Sequence, residues 1–232
     1  MLRRGRGFAR WVWSTRRAFC LALAGGSGNI TCAMGQIRQA EPVKLFVGML
    51  SAYPGALADA ESALAETLGA VDLRSDLFAH EFTEYYRDEM GHPLARLFVS
   101  FDRLIEPERL VSIKHLTNEV ESRMAADGGW PVVRPMNLDP GYIAPSKLVL
   151  ASTKDYSHRI HLREGIYGEV TLLFARGRWQ ELPWTYPDYR TADYHDFFTL
   201  VRSRLMRQRR EPPSPRPACR SGRLRRPEPP NG

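Results

Sequence analysis

Along this chain the spacing of apolar positions changes period several times, and each change marks an element. Val43 to Leu50 (VKLFVGML) is a continuous apolar run of strand length, followed by the turn residues Tyr53-Pro54-Gly55. Ala56 to Leu68 puts Leu57, Leu64 and Leu68 on one helical face and stops at Gly69. Asp72 to Glu81 alternates weakly around Leu73, Leu77 and Phe78 and predicts an exposed strand. Thr83 to Met90 predicts a short helix ended by Gly91, and Leu94 to Phe101 (LARLFVSF) a further strand. Glu106-Pro107 opens a long helix, with proline where a missing N–H costs nothing. Its core face is Leu110, Ile113, Leu116 or Thr117, Val120 and Met124, and Gly128-Gly129 closes it. Val132 to Met136 then returns as a strand.

That succession is strand, helix, strand, strand, helix, strand, which predicts an α+β fold whose first half is a ferredoxin-like βαββαβ unit. After it, Asn137-Leu138-Asp139-Pro140-Gly141-Tyr142 has the chemistry of a turn. Lys147 to Ala151 is a strand, and a β-hairpin-rich extension follows. Ser157 to Leu162 and Ile166 to Phe174 flank a three-residue loop, Arg163-Glu164-Gly165. Pairing Leu162 with Ile166 sets Arg159 opposite Glu169. A second turn at Arg176-Gly177 sets Phe174 opposite Trp179. Thr191 to Met206 is a C-terminal amphipathic helix with Tyr194, Phe197, Phe198, Val201 and Leu205 on its buried face. Trp184 and Tyr186 are expected to pack under that helix, with Asp188 capping its N-terminus.

Charge refines the domain organisation. The net charge of +7 over 232 residues would suggest a nucleic-acid partner. Residues 1–33, however, carry six arginines and no acid, and residues 207–232 carry eight arginines against two acids. Each tail contributes +6, so residues 34–206 sum to −5. A single mildly acidic domain therefore lies between two basic tails, and nucleic acid is not its expected partner. The three cysteines, Cys20, Cys32 and Cys219, all fall in the tails, which suits a reducing, cytoplasmic setting for the domain. No apolar run approaches the roughly 20 residues of a membrane span. Residues 1–33 read as a basic extension upstream of a start at Met34. Thr15-Arg16-Arg17-Ala18-Phe19, which resembles a twin-arginine export signal, and a membrane-surface segment around Trp11 and Trp13 are the other readings. The proline- and arginine-rich residues 207–232 read as disordered.

Candidate chemistry concentrates between Arg134 and Arg190. Lys147, Lys154 and Arg159 have the chemistry to hold a phosphate or carboxylate, with Asn137, Glu169 and Arg190 completing a ligand shell. His158 is the natural proton carrier near neutral pH, with Asp188 beside it as the second catalytic candidate, and Asp139 or Asp188 orients the cations. The expected ligand is a small anion, nucleotide-like in character. Simpler pairings, Arg159 with Glu169 and Arg134 with Asp139, account for some of the same residues. His158 and His161 lie three apart on a strand and face opposite ways, so no metal is assigned. A non-catalytic RNA- or protein-interaction module is the alternative, using the sheet face of the first half. Cofactor, reaction and oligomeric state do not follow from these residues.

Several blocks together carry a family resemblance. They are Phe82-Thr83-Glu84-Tyr85-Tyr86-Arg87-Asp88-Glu89-Met90-Gly91, Asn137 to Tyr142, Lys154-Asp155 with His158-Arg159-Ile160, Gly165-Ile166-Tyr167 with Glu169-Val170-Thr171-Leu172, and Trp184 to Tyr189. The chain resembles the bacterial domain-of-unknown-function family 4416 from about Pro42 to Arg202, which implies that both tails fall outside the family. The resemblance brings no activity that transfers to a residue. Members are often labelled GTP-binding, and the residues do not support that label here. Gly25 to Thr31 lacks the lysine of a GxxxxGK[ST] phosphate loop, and Thr153-Lys154-Asp155 lacks the residue that separates Lys from Asp in guanine-reading sequences.

Overall fold

The structure, a computed structural model, describes residues 36–82 and 87–211. Contacts divide the chain into two units, Met1–Arg38 and Gln39–Gly232, and every element below belongs to the second. The expectations for residues 1–33 and for residues beyond 211 lie outside the described residues.

The chain is α+β. Its strands are β1 (Val43–Ser51), β2 (Val71–Arg74), β3 (Phe78–Ala79), β4 (Ala95–Ile105), β5 (Asn137–Ala144), β6 (Lys147–Ser152), β7 (Ile160–Arg163), β8 (Ile166–Ala175) and β9 (Arg178–Glu181). Its helices are α1 (Pro54–Leu68), α2 (Arg87–Met90), α3 (Leu110–Ala126) and α4 (Ala192–Gln208). One antiparallel sheet runs in the order β2-β4-β1-β5-β6-β8-β7, with β3 also on β4 and β9 on β8. All nine residues of β1 are buried, because it is central in the sheet and covered on both faces. That is why its sequence runs apolar without alternation.

The pleat sends alternate residues of β1 to two different cores. Leu45, Val47 and Met49 join Leu97, Val99 and Phe101 of β4 under α1 and α3, with Leu57, Leu64, Ile113 and Val120 from the helices. Phe46 joins Phe98, Ile143, Leu148 and Leu172 under α4, which contributes Tyr194, Phe197, Phe198, Val201 and Leu205. The α4 face is the one its periodicity predicts. Phe198 is central there, 5.1 Å from Phe98 and 5.4 Å from Phe46 between ring centroids. Burying one such ring contributes about 1.5–3 kcal/mol.

Four expectations need correction. The predicted strand over Val132–Met136 is irregular chain, and the turn expected at Asn137–Tyr142 is the first part of β5. Seven consecutive pairs with β1, from Leu50↔Asn137 to Lys44↔Ile143, override the local turn preference of Asp-Pro-Gly. Gly141 is suited to this strand position, since a Cβ there would sit 2.6 Å from Val149 O and 2.7 Å from Phe46 Cζ. The single strand expected over Asp72–Glu81 is two short strands, β2 and β3, both paired to β4. Of the helix expected over Thr83–Met90, Arg87–Met90 is helical and residues 83–86 lie outside the described residues.

The fourth concerns the β7–β8 loop, which has two residues rather than three. Arg163 pairs with Ile166, and Glu164 and Gly165 both take positive φ, 52° and 74°, as a tight primed turn requires. A bulge between His161 and Arg163 then restores the register, so Ile160 pairs with Gly168. Arg159 consequently still meets Glu169. The Phe174↔Trp179 pair of the next hairpin is as expected.

Pro140 positions the site. The Ala144↔Lys147 pair closes a two-residue hairpin, so Tyr142, Pro140 and Leu138 aim their backbone groups toward β6. Proline has no N–H to offer, and the β5–β6 pairing stops at Gly141↔Leu150. At Leu138 side chains of α3 stand in for the missing strand. Glu121 Oε1 accepts from Leu138 N at 2.8 Å, and Lys114 Nζ donates to Leu138 O at 2.9 Å. The two strands part, and a cavity opens where they do.

Candidate functional site

The cavity holds about 450 Å³ and is lined from both sides of the parting. β5 contributes Asn137 and Asp139, while β6 and the loop after it contribute Leu150, Ala151, Ser152, Lys154, Tyr156 and Arg159. Glu169 comes from β8, His80 and Phe82 follow β3, and Arg96 comes from β4. The segment before α4 closes it with Tyr186, Pro187, Asp188 and Tyr189.

Two buried arginines organise these groups. Arg96 stands on β4, yet its Nη1 reaches Asp139 Oδ2 on β5 at 2.8 Å, passing over the intervening β1. Gly48 of β1 makes room, because a Cβ there would lie 3.3 Å from Arg96 Nη1 and 2.9 Å from Phe98 Cε1. Arg96 Nη2 also lies 3.7 Å from Asp188 Oδ2. Burial opposes the charge on Arg96, but Asp139, Tyr189 and Asp188 outweigh it and raise its pKa further. For Asp139 burial likewise opposes ionisation. Arg96 and Lys114, with hydrogen bonds from Arg96 and Asn137, reverse that and lower its pKa. Asn137 Nδ2 donates to Asp139 Oδ2 at 2.7 Å, and Arg134 donates in turn to Asn137 Oδ1 and to Glu121.

The second arginine, Arg159, is almost saturated by the protein. It donates to Glu169 Oε2 (2.8 Å), Ser152 Oγ (2.7 Å), Lys154 O (3.0 Å) and the Tyr186 hydroxyl, and its guanidinium lies 4.5 Å from the Tyr156 ring centroid. With five N–H donors and four used, it braces the wall more than it offers itself to a ligand. Glu169 also takes a hydrogen bond from Thr171 Oγ1 at 3.1 Å and has His158 Nε2 at 3.0 Å.

Of the nine residues singled out from the sequence, Asn137, Asp139, Lys154, Arg159, Glu169 and Asp188 line the cavity. His158 does not. It lies behind Glu169, stacked on Trp184 with the planes 13° apart and the centroids separated by 5.3 Å. Lys147 sits at the hairpin end of β6, opposite Leu173 and away from the parting. Arg190 turns outward, donating to Thr185 O at 2.9 Å with Glu181 at 3.8 Å. These three therefore stand outside the cavity that the other six line. The pairing of Arg134 with Asp139 is also replaced, since Arg96 fills that role. Asp188 does not cap α4, whose N-cap Thr191 makes no capping side-chain bond, and Trp184 and Tyr186 are both partly exposed. Instead Tyr189 packs under the helix, 5.7 Å from Phe198.

Sequence reasoning missed Arg96, His80 and Tyr189. Arg96 carried a signal, because a lone charge inside an apolar strand must find a partner where it is buried. His80 carried little, standing in a segment of weak period. It is 6% exposed, with Nδ1 lying 3.8 Å from Asp188 Oδ2. Burial, and then the charge on Arg96, lower its pKa, so the imidazole is neutral at pH 7. Tyr189 is 2% exposed and its pKa is raised well above the ordinary value by burial. Neither His80 Nδ1 nor the Tyr189 hydroxyl has a hydrogen-bond partner among the described residues.

Among the described residues no group of three or more His, Cys, Asp or Glu is arranged to hold a metal ion. No helix among them is long and apolar enough to cross a membrane. A family model described as Domain of unknown function (DUF4416) matches residues 41–205. No curated protein and no solved structure matches the chain.

Proposed function

The chain belongs to the family described as Domain of unknown function (DUF4416), and from that premise we propose that it binds a small anionic, nucleotide-like ligand in the cavity at the β5–β6 parting. The observation that carries this reading is a cavity of about 450 Å³ lined by buried polar atoms without partners among the described residues. Its size suits a small molecule, and buried polar groups in native proteins are nearly always satisfied, so unpartnered ones facing a cavity favour a ligand. Phe82, Tyr156 and Tyr186 offer aromatic surface for a planar ring, and Lys154 offers a cation for the anionic end.

The first-half sheet gives less support to an RNA- or protein-binding module. Its two faces are packed under α1 and α3 on one side and α4 on the other, leaving β1 and β4 no open face for bases. We read that half as ferredoxin-like. The order β2-β4-β1-β5, with α1 and α3 as crossovers, supports it. Residues 34–206 contain no cysteine, which supports a cytoplasmic setting.

The test is a thermal-shift series on the full chain with sulfate, phosphate and nucleoside monophosphates. A ligand at 100 times its Kd stabilises the native state by about 2.7 kcal/mol, a rise in Tm of roughly 5–10 °C for a domain of this size. Lys154→Ala is expected to reduce the response to anions. No shift with any of them, at millimolar concentration, overturns the reading.

A further inference from the structure

The inner end of the cavity differs chemically from its mouth. Arg96 is answered by Asp139 at 2.8 Å and Asp188 at 3.7 Å, and Glu169 by Arg159 at 2.8 Å. These groups leave no uncompensated cation at the inner end to take an anion. Arg96 keeps one N–H, at Nε, without a partner, and beside it stand two neutral groups that also lack one: the imidazole Nδ1 of His80 and the hydroxyl of Tyr189. Both side chains are more than nine-tenths buried and both line the cavity. The His80–Asp188 and Arg96–Asp188 separations, 3.8 and 3.7 Å, are too long for direct hydrogen bonds. A group inserted among them closes those gaps.

Resting on the ligand-binding reading above, we propose that His80, Tyr189 and Asp188 form an inner subsite for an uncharged group that both donates and accepts hydrogen bonds, namely the edge of a nucleobase. The anionic end of the same ligand lies outward, toward Lys154. His80 offers a ring nitrogen, Tyr189 a hydroxyl that donates or accepts, and Asp188 an acceptor, so the subsite reads a pattern and not a charge. The lowered pKa of His80 and the raised pKa of Tyr189 agree with this, since both keep their groups uncharged at pH 7. A ligand missing its base leaves these buried atoms unpaired and loses affinity, which is how such sites discriminate.

The experiment compares nucleoside monophosphates with ribose 5-phosphate by calorimetric titration of the full chain, wild type and two variants. Wild type is expected to prefer at least one monophosphate to ribose 5-phosphate by about tenfold or more. Tyr189→Phe keeps the ring that packs on Phe198 and removes only the unpartnered hydroxyl. It is expected to keep or raise the Tm of the free protein while bringing that preference down by about tenfold. His80→Ala is expected to reduce the preference in the same way, with the affinity for ribose 5-phosphate unchanged. Equal affinity of wild type for ribose 5-phosphate and every monophosphate overturns the subsite while leaving the ligand site standing. So does equal weakening of both ligand types by Tyr189→Phe. Binding of neither probe overturns the ligand site and the subsite together.

Discussion

Two buried cations stand on the same face of the sheet, near opposite ends of α4, and their surroundings differ. Lys44 of β1 lies toward the C-terminal end of α4 and is fully buried. It donates to Asp72 Oδ2 at 2.7 Å and to Gln208 Oε1 at 2.9 Å, and Asp72 is held further by Ser100 and Arg204. Burial lowers the pKa of Lys44, and the bonds to Asp72 only partly offset that. Arg96 lies toward the N-terminal end of α4, bonded to Asp139 but only near Asp188, with His80 and Tyr189 unpartnered beside it and a cavity in front. Buried charge alone therefore marks nothing. Lys44 fastens the last turn of α4 to the sheet, whereas the Arg96 cluster keeps polar atoms facing open space, the feature on which the proposed ligand site rests.

The largest effect expected from breaking this comparison is on stability. Arg96→Met leaves Asp139 and Asp188 without their guanidinium and should cost about 3–5 kcal/mol. Lys44→Met leaves Asp72 with Ser100 and Arg204 and should cost less, about 1–3 kcal/mol. Urea unfolding of the two variants measures both, and equal costs would remove the distinction. Next is the parting of the strands. Gly141→Ala forces a Cβ against Val149 O and should cost about 1–3 kcal/mol by the same measurement.

The pH dependence is subtler. His80 has a lowered folded pKa, so the unfolded chain takes up its proton first as pH falls. Its contribution to stability is full above the ordinary histidine value and is lost as pH drops from there toward the folded value. Glu121 has the opposite sign. Burial raises its pKa, so its contribution is present below the ordinary carboxyl value and lost as pH rises through the raised one. Wild type should therefore lose more stability than His80→Asn between pH 7 and pH 5.5, a comparison that leaves Glu121 common to both. The smallest effects belong to Lys147→Ala and Arg190→Ala. Each should stay within about 0.5 kcal/mol of wild type and leave any ligand response intact.

Elements written in strong periods were legible in the sequence. β1, β4, α1, α3 and α4 appear where runs and faces predict them, because their apolar positions are numerous enough to decide the conformation locally. β5 was not, since Asp139-Pro140-Gly141 has the composition of a turn and only its pairing with β1 makes it a strand. The same misreading hid the parting of β5 from β6, and with it the reason the cavity exists. Within the site, residues brought in by nearby loops and hairpins, such as Arg159, Glu169 and Asp188, stood out as a polar cluster. Arg96 and His80 come from 63 to 108 residues earlier in the chain, and only the sheet order brings them to the cavity.

Occupation of the parting between β5 and β6 by a ligand is read residue by residue in a two-dimensional 15N NMR titration of the full chain with a nucleoside monophosphate. Amide shifts are expected at Asp139, Ala151, Ser152, Asp188 and Tyr189, with Lys147 and Arg178 unmoved. Shifts confined to residues away from the cavity, or none at millimolar ligand, would contradict the account.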